Sequence, residues 1–168
     1  MKDFIDSIKK RDPNARNIFQ IILLYPGVQA VFWYKISHFL YTHQLKFIAE
    51  LIMFLVRCFL NIEIHPAAQI GKRLFIDHGS GVVIGSTTII GDGVTIYHGV
   101  TLGATGRKRI EGKRHPTIED NVTIGAGAKI LGDITLGEGC IIGANAVILK
   151  DVEPYKTSVG VPGKIKNG

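Results

Sequence analysis

Six histidines, at positions 38, 43, 65, 78, 98 and 115, are the side chains of this 168-residue chain best suited to moving protons near neutral pH. His38 and His43 lie in an apolar stretch with no second functional motif, and read as structural or surface residues. His78 follows Asp77 in Ile76-Asp77-His78-Gly79-Ser80-Gly81. A base beside a carboxylate is what general-base activation of a weak nucleophile needs, although such a pair taken alone is more often a satisfied polar contact. A second constellation is cationic. Arg107, Lys108, Arg109, Lys113 and Arg114 crowd around one acid, Glu111, between Gly103-Ala104-Thr105-Gly106 and His115-Pro116. No aromatic residues interleave to stack on bases, so a phosphate-bearing small ligand suits the cluster better than nucleic acid. By itself, such a run is more often a solvated loop. His65, His78, His98 and His115 include no two at close ligand spacing, so no metal is expected.

The elements that must carry these residues show a period of six. Apolar residues recur at Ile64, Ile70, Ile76 and Val82, then, after a shift of two, at Ile84, Ile90, Ile96 and Leu102, and finally at Ile118, Ile124, Ile130, Leu136, Ile142 and Ile148. Glycine often follows directly, and a small or aliphatic residue comes four positions later, as at Ala68, Thr88, Val94, Ala128, Cys140 and Ala146. A period of six is not helical, so each hexad reads as one short strand and one corner, and the strands stack into parallel ladders. The GxG pairs at Gly91, Gly125 and Gly137 then need no nucleotide, because Ile96, Ile130 and Ile142 stand where a dinucleotide fingerprint wants glycine. Between Leu102 and Ile118 ten residues exceed the period, and they form an inserted loop that holds the basic cluster. Insertions are where repeat scaffolds place function.

Residues 1–62 read as helical. Phe4, Ile5, Ile8, Ile18, Ile21, Ile22, Leu24 and Tyr25 recur at helical spacing up to a stop at Pro26-Gly27, and runs near 28–41 and 45–60 follow. Lys46, Glu50 and Arg57 interrupt the most apolar run, which argues for a packed helix and against a membrane span. The start MKDFIDSIKK has no apolar signal core, and the two cysteines, Cys58 and Cys140, lie too far apart for a CxxC pair, so free, buried thiols and a cytoplasmic location are expected. The expected organisation is a helical region 1–62, a β-helix 63–153 with an inserted loop 103–117, and a C-terminal segment 154–168.

The motifs Glu63-Ile64-His65-Pro66-Ala67-Ala68, Phe75-Ile76-Asp77-His78-Gly79, Gly103-Ala104-Thr105-Gly106, Lys113-Arg114-His115-Pro116, Gly125-Ala126-Gly127-Ala128-Lys129-Ile130 and Val159-Gly160-Val161-Pro162-Gly163 follow one another in this chain, with Arg11-Asp12-Pro13 and Tyr25-Pro26-Gly27 upstream. Together they closely resemble serine O-acetyltransferase, over nearly the whole chain. The hexads and the closing VPG mark only the broader hexapeptide acyltransferases, whereas IHPAA, DHG, RHP and DPxA point to the serine enzyme.

The resemblance implies an α+β chain whose N-terminal helices precede a left-handed parallel β-helix. It implies a homotrimer with acetyl-CoA in a groove between subunits, making O-acetyl-L-serine and CoA from L-serine for cysteine synthesis, with cysteine a candidate feedback inhibitor. By match, His78 is the base and Glu63 the carboxylate that orients it. Asp12, Asp77, Arg114 and His115 hold serine, and Gly103, Gly106, Ala126 and Lys129 line the CoA channel, with Lys164 a weaker candidate. Better-known relatives carry Asp where Glu63 stands. The short helical region suggests one trimer in place of two stacked ones. The ending Lys166-Asn167-Gly168 lacks the isoleucine tail that docks into O-acetylserine sulfhydrylase, so that complex is not expected.

Overall fold

The computed structural model describes residues 2–106 and 112–166; Arg107, Lys108, Arg109 and Glu111 of the basic cluster lie outside the described residues. Four helices lead: α1 (Lys2–Arg11), α2 (Ile18–Leu24), α3 (Pro26–Thr42) and α4 (Lys46–Leu60). The helical spacing from Phe4 to Tyr25 is broken between α1 and α2, where Asn17 caps α2 by accepting from Gln20 N–H. Pro26 ends α2 and also opens α3, occupying the first turn, where its missing N–H costs nothing.

Three short strands then make each coil of a parallel solenoid. The first coil holds β1 (Ile62–Ile64), β2 (Gln69–Ile70) and β3 (Phe75–Ile76), and the second β4 (Val82–Ile84), β5 (Ile89–Ile90) and β6 (Thr95–Ile96). The third holds β7 (Thr101–Gly103), β8 (Thr117–Ile118) and β9 (Thr123–Ile124), and the fourth β10 (Lys129–Leu131), β11 (Thr135–Leu136) and β12 (Ile141–Ile142). The fifth holds β13 (Val147–Ile148) and β14 (Thr157–Val159), with Val152 bridging to Leu136 on the middle face. A final strand, β15 (Lys164–Lys166), folds back antiparallel on β14. Every other ladder is parallel, giving three faces with orders β1-β4-β7-β10-β13, β2-β5-β8-β11 and β3-β6-β9-β12-β14-β15.

Branched and small side chains fill the bore. Ile64, Ile84, Leu102, Ile130 and Ile148 stack on one wall, each 2% exposed or less, with Ala68, Val94, Val100, Val122, Ala128, Cys140 and Ala146 fully enclosed at the narrow positions. β-Branched side chains favour the extended backbone of these strands. Burial pushes the Cys140 thiol up to about 11. Cys58 departs from expectation: it is free but exposed on α4, because the apolar residues of that helix run round its outer side as well as its packed one.

Coil lengths locate the insertions. Ile84 pairs with Leu102 and Ile130 with Ile148, so the regular coil is 18 residues, whereas Ile64 pairs with Ile84 across 20. Ile76 pairs with Ile96 and Val83 with Thr101, which puts the two extra residues in the corner Asp77–Gly81. Val82 therefore takes the position of Ile62, two residues ahead of the hexad position that Ile84 fills. The shift of two lies at His78, earlier than the spacing of apolar residues suggests. Leu102 to Ile130 spans ten residues beyond the regular coil, matching the inserted loop.

Candidate active site

Arg11 ties the helical cap to the solenoid. Its guanidinium donates to the carbonyls of Gly93 and Val94 and to Thr95 Oγ1, each at 3.1 Å, to Arg73 O at 2.8 Å and to Ser7 Oγ at 3.0 Å, while lying over the Phe75 ring. Ile5, Ile8, Ile21 and Phe75 form a small second core beneath it. Asp12 follows at once. One of its oxygens accepts the Asn14 N–H at 2.8 Å, and the other accepts the Tyr25 hydroxyl at 2.5 Å. Burial, the bond to Asp12 and the nearby Asp77 carboxylate push the Tyr25 phenol up to about 12, so it stays a donor.

α3 presses on the strand that precedes His78. A Cβ at Gly27 would lie 2.1 Å from Ile76 O, so only glycine permits this approach. Asn61, in left-handed conformation at the end of α4, receives Gly81 N–H on its carbonyl and donates its side-chain amide to Ser80 Oγ. The lengthened corner is thereby held from both sides. His78 itself sits at φ +59°, a region disfavoured for a residue with a Cβ, and its side chain is 74% exposed. The result is an open cleft of about 300 Å³ lined by Asp12, Asn14, Leu24, Tyr25, Pro26, Ile76, Asp77 and His78.

Three of the expected residues, Asp12, Asp77 and His78, thus meet. Asn14 and Tyr25 join them although sequence reasoning singled out neither as a site residue; the Tyr-Pro-Gly at a helix junction was the available signal for Tyr25. Asp77 Oδ1 is 3.9 Å from His78 Nε2, beyond hydrogen-bond reach. Glu63 stands on the first face, and its carboxylate pairs with Arg57 Nη1 at 3.1 Å. No bond from Glu63 to His78 is found among the described residues.

His78, His98 and Ala126 share one edge of the solenoid on successive coils: the His78 and His98 rings meet edge to face with centroids 5.8 Å apart, and Gly127 N–H donates to His98 O. Lys129 begins the next strand, with its ammonium bonded to Gly99 O. Gly103 and Gly106 belong instead to the opposite end of the first face, beyond which Arg114 and His115 close the inserted loop. There Lys113 Nζ donates to Asp133 Oδ1 at 2.5 Å and to His115 O at 2.6 Å, so it is a tether and not a free cation. His115 is 6% exposed; burial, then Arg114, His65 and Lys113, keep its pKa below the ordinary histidine value. Lys164 lies on β15, at the far end of the third face. In one chain, therefore, Asp12, Asp77 and His78 lie on one edge and Arg114 and His115 on another, with Glu63 on the first face and Lys164 on the third. His38 bonds Pro66 O at 2.7 Å and serves the helix-to-solenoid contact.

A solenoid of hexads with an imidazole at a lengthened corner and a basic insertion on the next edge defines a hexapeptide-repeat transferase, and residues 115–150 match the family model described as bacterial transferase hexapeptide (six repeats). A curated relative, the serine acetyltransferase of Bacillus subtilis, is 52% identical over 165 residues, covering 98% of this chain and 75% of the relative. Soybean serine acetyltransferase complexed with serine superposes with TM-score 0.92 at 41% identity over 96% of this chain. The Brucella abortus serine acetyltransferase in complex with coenzyme A superposes with TM-score 0.93 at 40% identity, also over 96%. The chain spans 66% and 64% of those two structures' lengths. It belongs to the serine acetyltransferase family.

Proposed function

We propose that this chain transfers acetyl from acetyl-CoA to the hydroxyl of L-serine, releasing CoA and O-acetyl-L-serine, an activated precursor for cysteine synthesis. The observation that carries this reading is the cleft joining Asp12, Tyr25, Asp77 and His78, which offers paired carboxylates for an ammonium group and an exposed imidazole for the hydroxyl beside it. The solved relatives that hold serine and coenzyme A support it.

The serine hydroxyl is a poor nucleophile, so the His78 imidazole removes its proton as the oxygen attacks the thioester carbonyl. The tetrahedral intermediate expels the CoA sulfur, which takes that proton back from the imidazolium. Glu63 orients and stabilises the charged ring once it turns from Arg57. Arg114 and His115 hold the serine carboxylate, Arg114 as a planar fork. Because those two lie on another edge, the site is completed by a neighbouring copy, and we infer a homotrimer with sites between subunits. Gly103, Gly106, Ala126, Lys129 and Lys164 line the CoA channel along the solenoid. Residues 1–62 supply Asp12 and Tyr25, the β-helix from 63 to 153 the remaining polar groups, and 154–168 the closing segment. Cysteine shares serine's ammonium and carboxylate and would compete for the same cleft. The substrates, acetyl-CoA and a free amino acid, suit a cytoplasmic location.

The test is thiol release from acetyl-CoA with a panel of hydroxyl acceptors. L-Serine is expected to be far the best acceptor; preference for a sugar or xenobiotic hydroxyl would replace this reading with another acyltransferase on the same scaffold.

A further inference from the structure

The inserted loop returns to the solenoid at a single side chain. Thr87 lies in the corner between β4 and β5, 28 residues before His115. Its Oγ1 is 3.0 Å from the main-chain nitrogens of both Arg114 and His115 and 2.8 Å from His115 Nδ1, and its own N–H points at the same Nδ1 from 3.2 Å. A hydroxyl has two lone pairs and one proton. The two main-chain N–H groups take the lone pairs, so the hydroxyl proton must go to Nδ1. Two donors then converge on that nitrogen, which cannot carry a proton of its own, and the ring proton resides on Nε2. The ring packs over Gly85, where a Cβ would fall 2.1 Å from Cδ2 and 2.2 Å from Nε2, and a flipped ring would set Cδ2–H against both Thr87 donors. Nε2 has no hydrogen-bond partner among the described residues, so its N–H is left to donate to a ligand.

We propose that Thr87 is a positioning residue that locks His115 in the Nε2–H tautomer and fixes the backbone from which Arg114 and His115 reach the serine carboxylate. The inference rests on the assignment of that pair to serine. Arg114 contributes charge and a fork, and His115 contributes one neutral, fixed donor that adds direction without a second positive charge in a partly buried site. Lys113 holds the same turn from its other side through His115 O. Thr87 thus explains how a loop at the end of a ten-residue insertion delivers two side chains in a defined geometry.

The experiment uses the full chain labelled with nitrogen-15 histidine, in which long-range proton–nitrogen correlations distinguish the two neutral tautomers, with the His115 signal assigned by its loss in His115→Asn. The native protein is expected to show His115 protonated at Nε2; protonation at Nδ1 would overturn the proposal, whether or not any variant folds. Thr87→Val keeps the shape and removes the hydroxyl. It should give a tautomer mixture at His115 and raise the serine KM about 10- to 100-fold with the acetyl-CoA KM little changed, since a small misplacement of binding groups has effects of that order. Thr87→Ser should restore both. An unchanged His115 spectrum in Thr87→Val contradicts the lock. A changed spectrum with an unchanged serine KM overturns the role in the reaction and places the fault in the assignment of serine to Arg114 and His115.

Discussion

In the proposed mechanism His78 is the general base, so its removal should be visible in turnover while the fold is unchanged. His78→Ala is expected to lower kcat by at least ~10²- to 10⁴-fold, the usual worth of a general base, with the solenoid intact by circular dichroism and gel filtration. Near-normal turnover would pass the role to His115. Glu63 is a subtler matter. Its pair with Arg57 joins two half-exposed side chains, and such surface pairs contribute only ~0–1 kcal/mol, so the carboxylate is easily recruited elsewhere. Glu63→Gln should therefore depress kcat with little change in either KM. A silent variant would confine Glu63 to Arg57 and pass the orienting role to Asp77. Thr88 offers the opposite kind of test. Its hydroxyl faces the bore, 1% exposed and without a hydrogen-bond partner among the described residues. Thr88→Val keeps the volume and removes an unsatisfied group, and should stabilise the fold by about 1 kcal/mol, read as a higher denaturant midpoint at unchanged slope.

Among the elements, the α1–α2 turn decides whether Asp12 reaches the cleft, and Arg11 decides where that turn lies. Arg11→Ala removes the charge-assisted bonds to Gly93, Val94, Thr95 and Arg73. It should weaken the docking of α1 by about 2 kcal/mol, seen as faster amide exchange in that helix, and raise the serine KM while the solenoid amides stay protected. Arg11→Lys keeps the charge but not the fork and should fall between. Equal exchange in native and Ala proteins would show that the small core around Phe75 holds α1 unaided. The contrast between solenoid and turn also explains what could be read in advance. A hexad leaves its mark on every repeat, since the bore admits only branched or small residues, so Ile64 through Ile148 announced the coils and the ten-residue insertion. A corner lengthened by two residues leaves the apolar rhythm nearly intact, and Val82 read as a hexad position although it occupies the place of Ile62. The contacts of Tyr25 with Asp12 and of Thr87 with His115 join residues with no shared period, and only the folded chain brings them together. His78, Asp77 and Asp12 were legible through the resemblance of their motifs, and the Arg57 partner of Glu63 was not, because nothing in the spacing sets one charge on α4 against another on β1.

At the scale of the molecule two features demand a partner. The outer sides of α2, α3 and α4 expose Phe19, Leu23, Phe32, Trp33, Phe39, Phe47, Phe54 and Phe59, and large apolar side chains gathered on neighbouring helices mark an interaction surface. No helix among the described residues is long and apolar enough to cross a membrane. The second feature is the division of the proposed site: His78 and Asp12 lie on one edge of the solenoid, and Arg114 and His115 on another. If each site takes its base from one subunit and its carboxylate clamp from the next, two different inactive chains can repair one another. The decisive measurement is thiol release from acetyl-CoA and L-serine by trimers assembled from equal amounts of His78→Ala and Arg114→Ala chains. Each variant alone should be nearly inactive, and random mixing should restore about one quarter of the native sites, those that draw both intact residues from different chains. Activity no higher than that of the separate variants, in trimers shown to be mixed, would contradict a site shared between subunits.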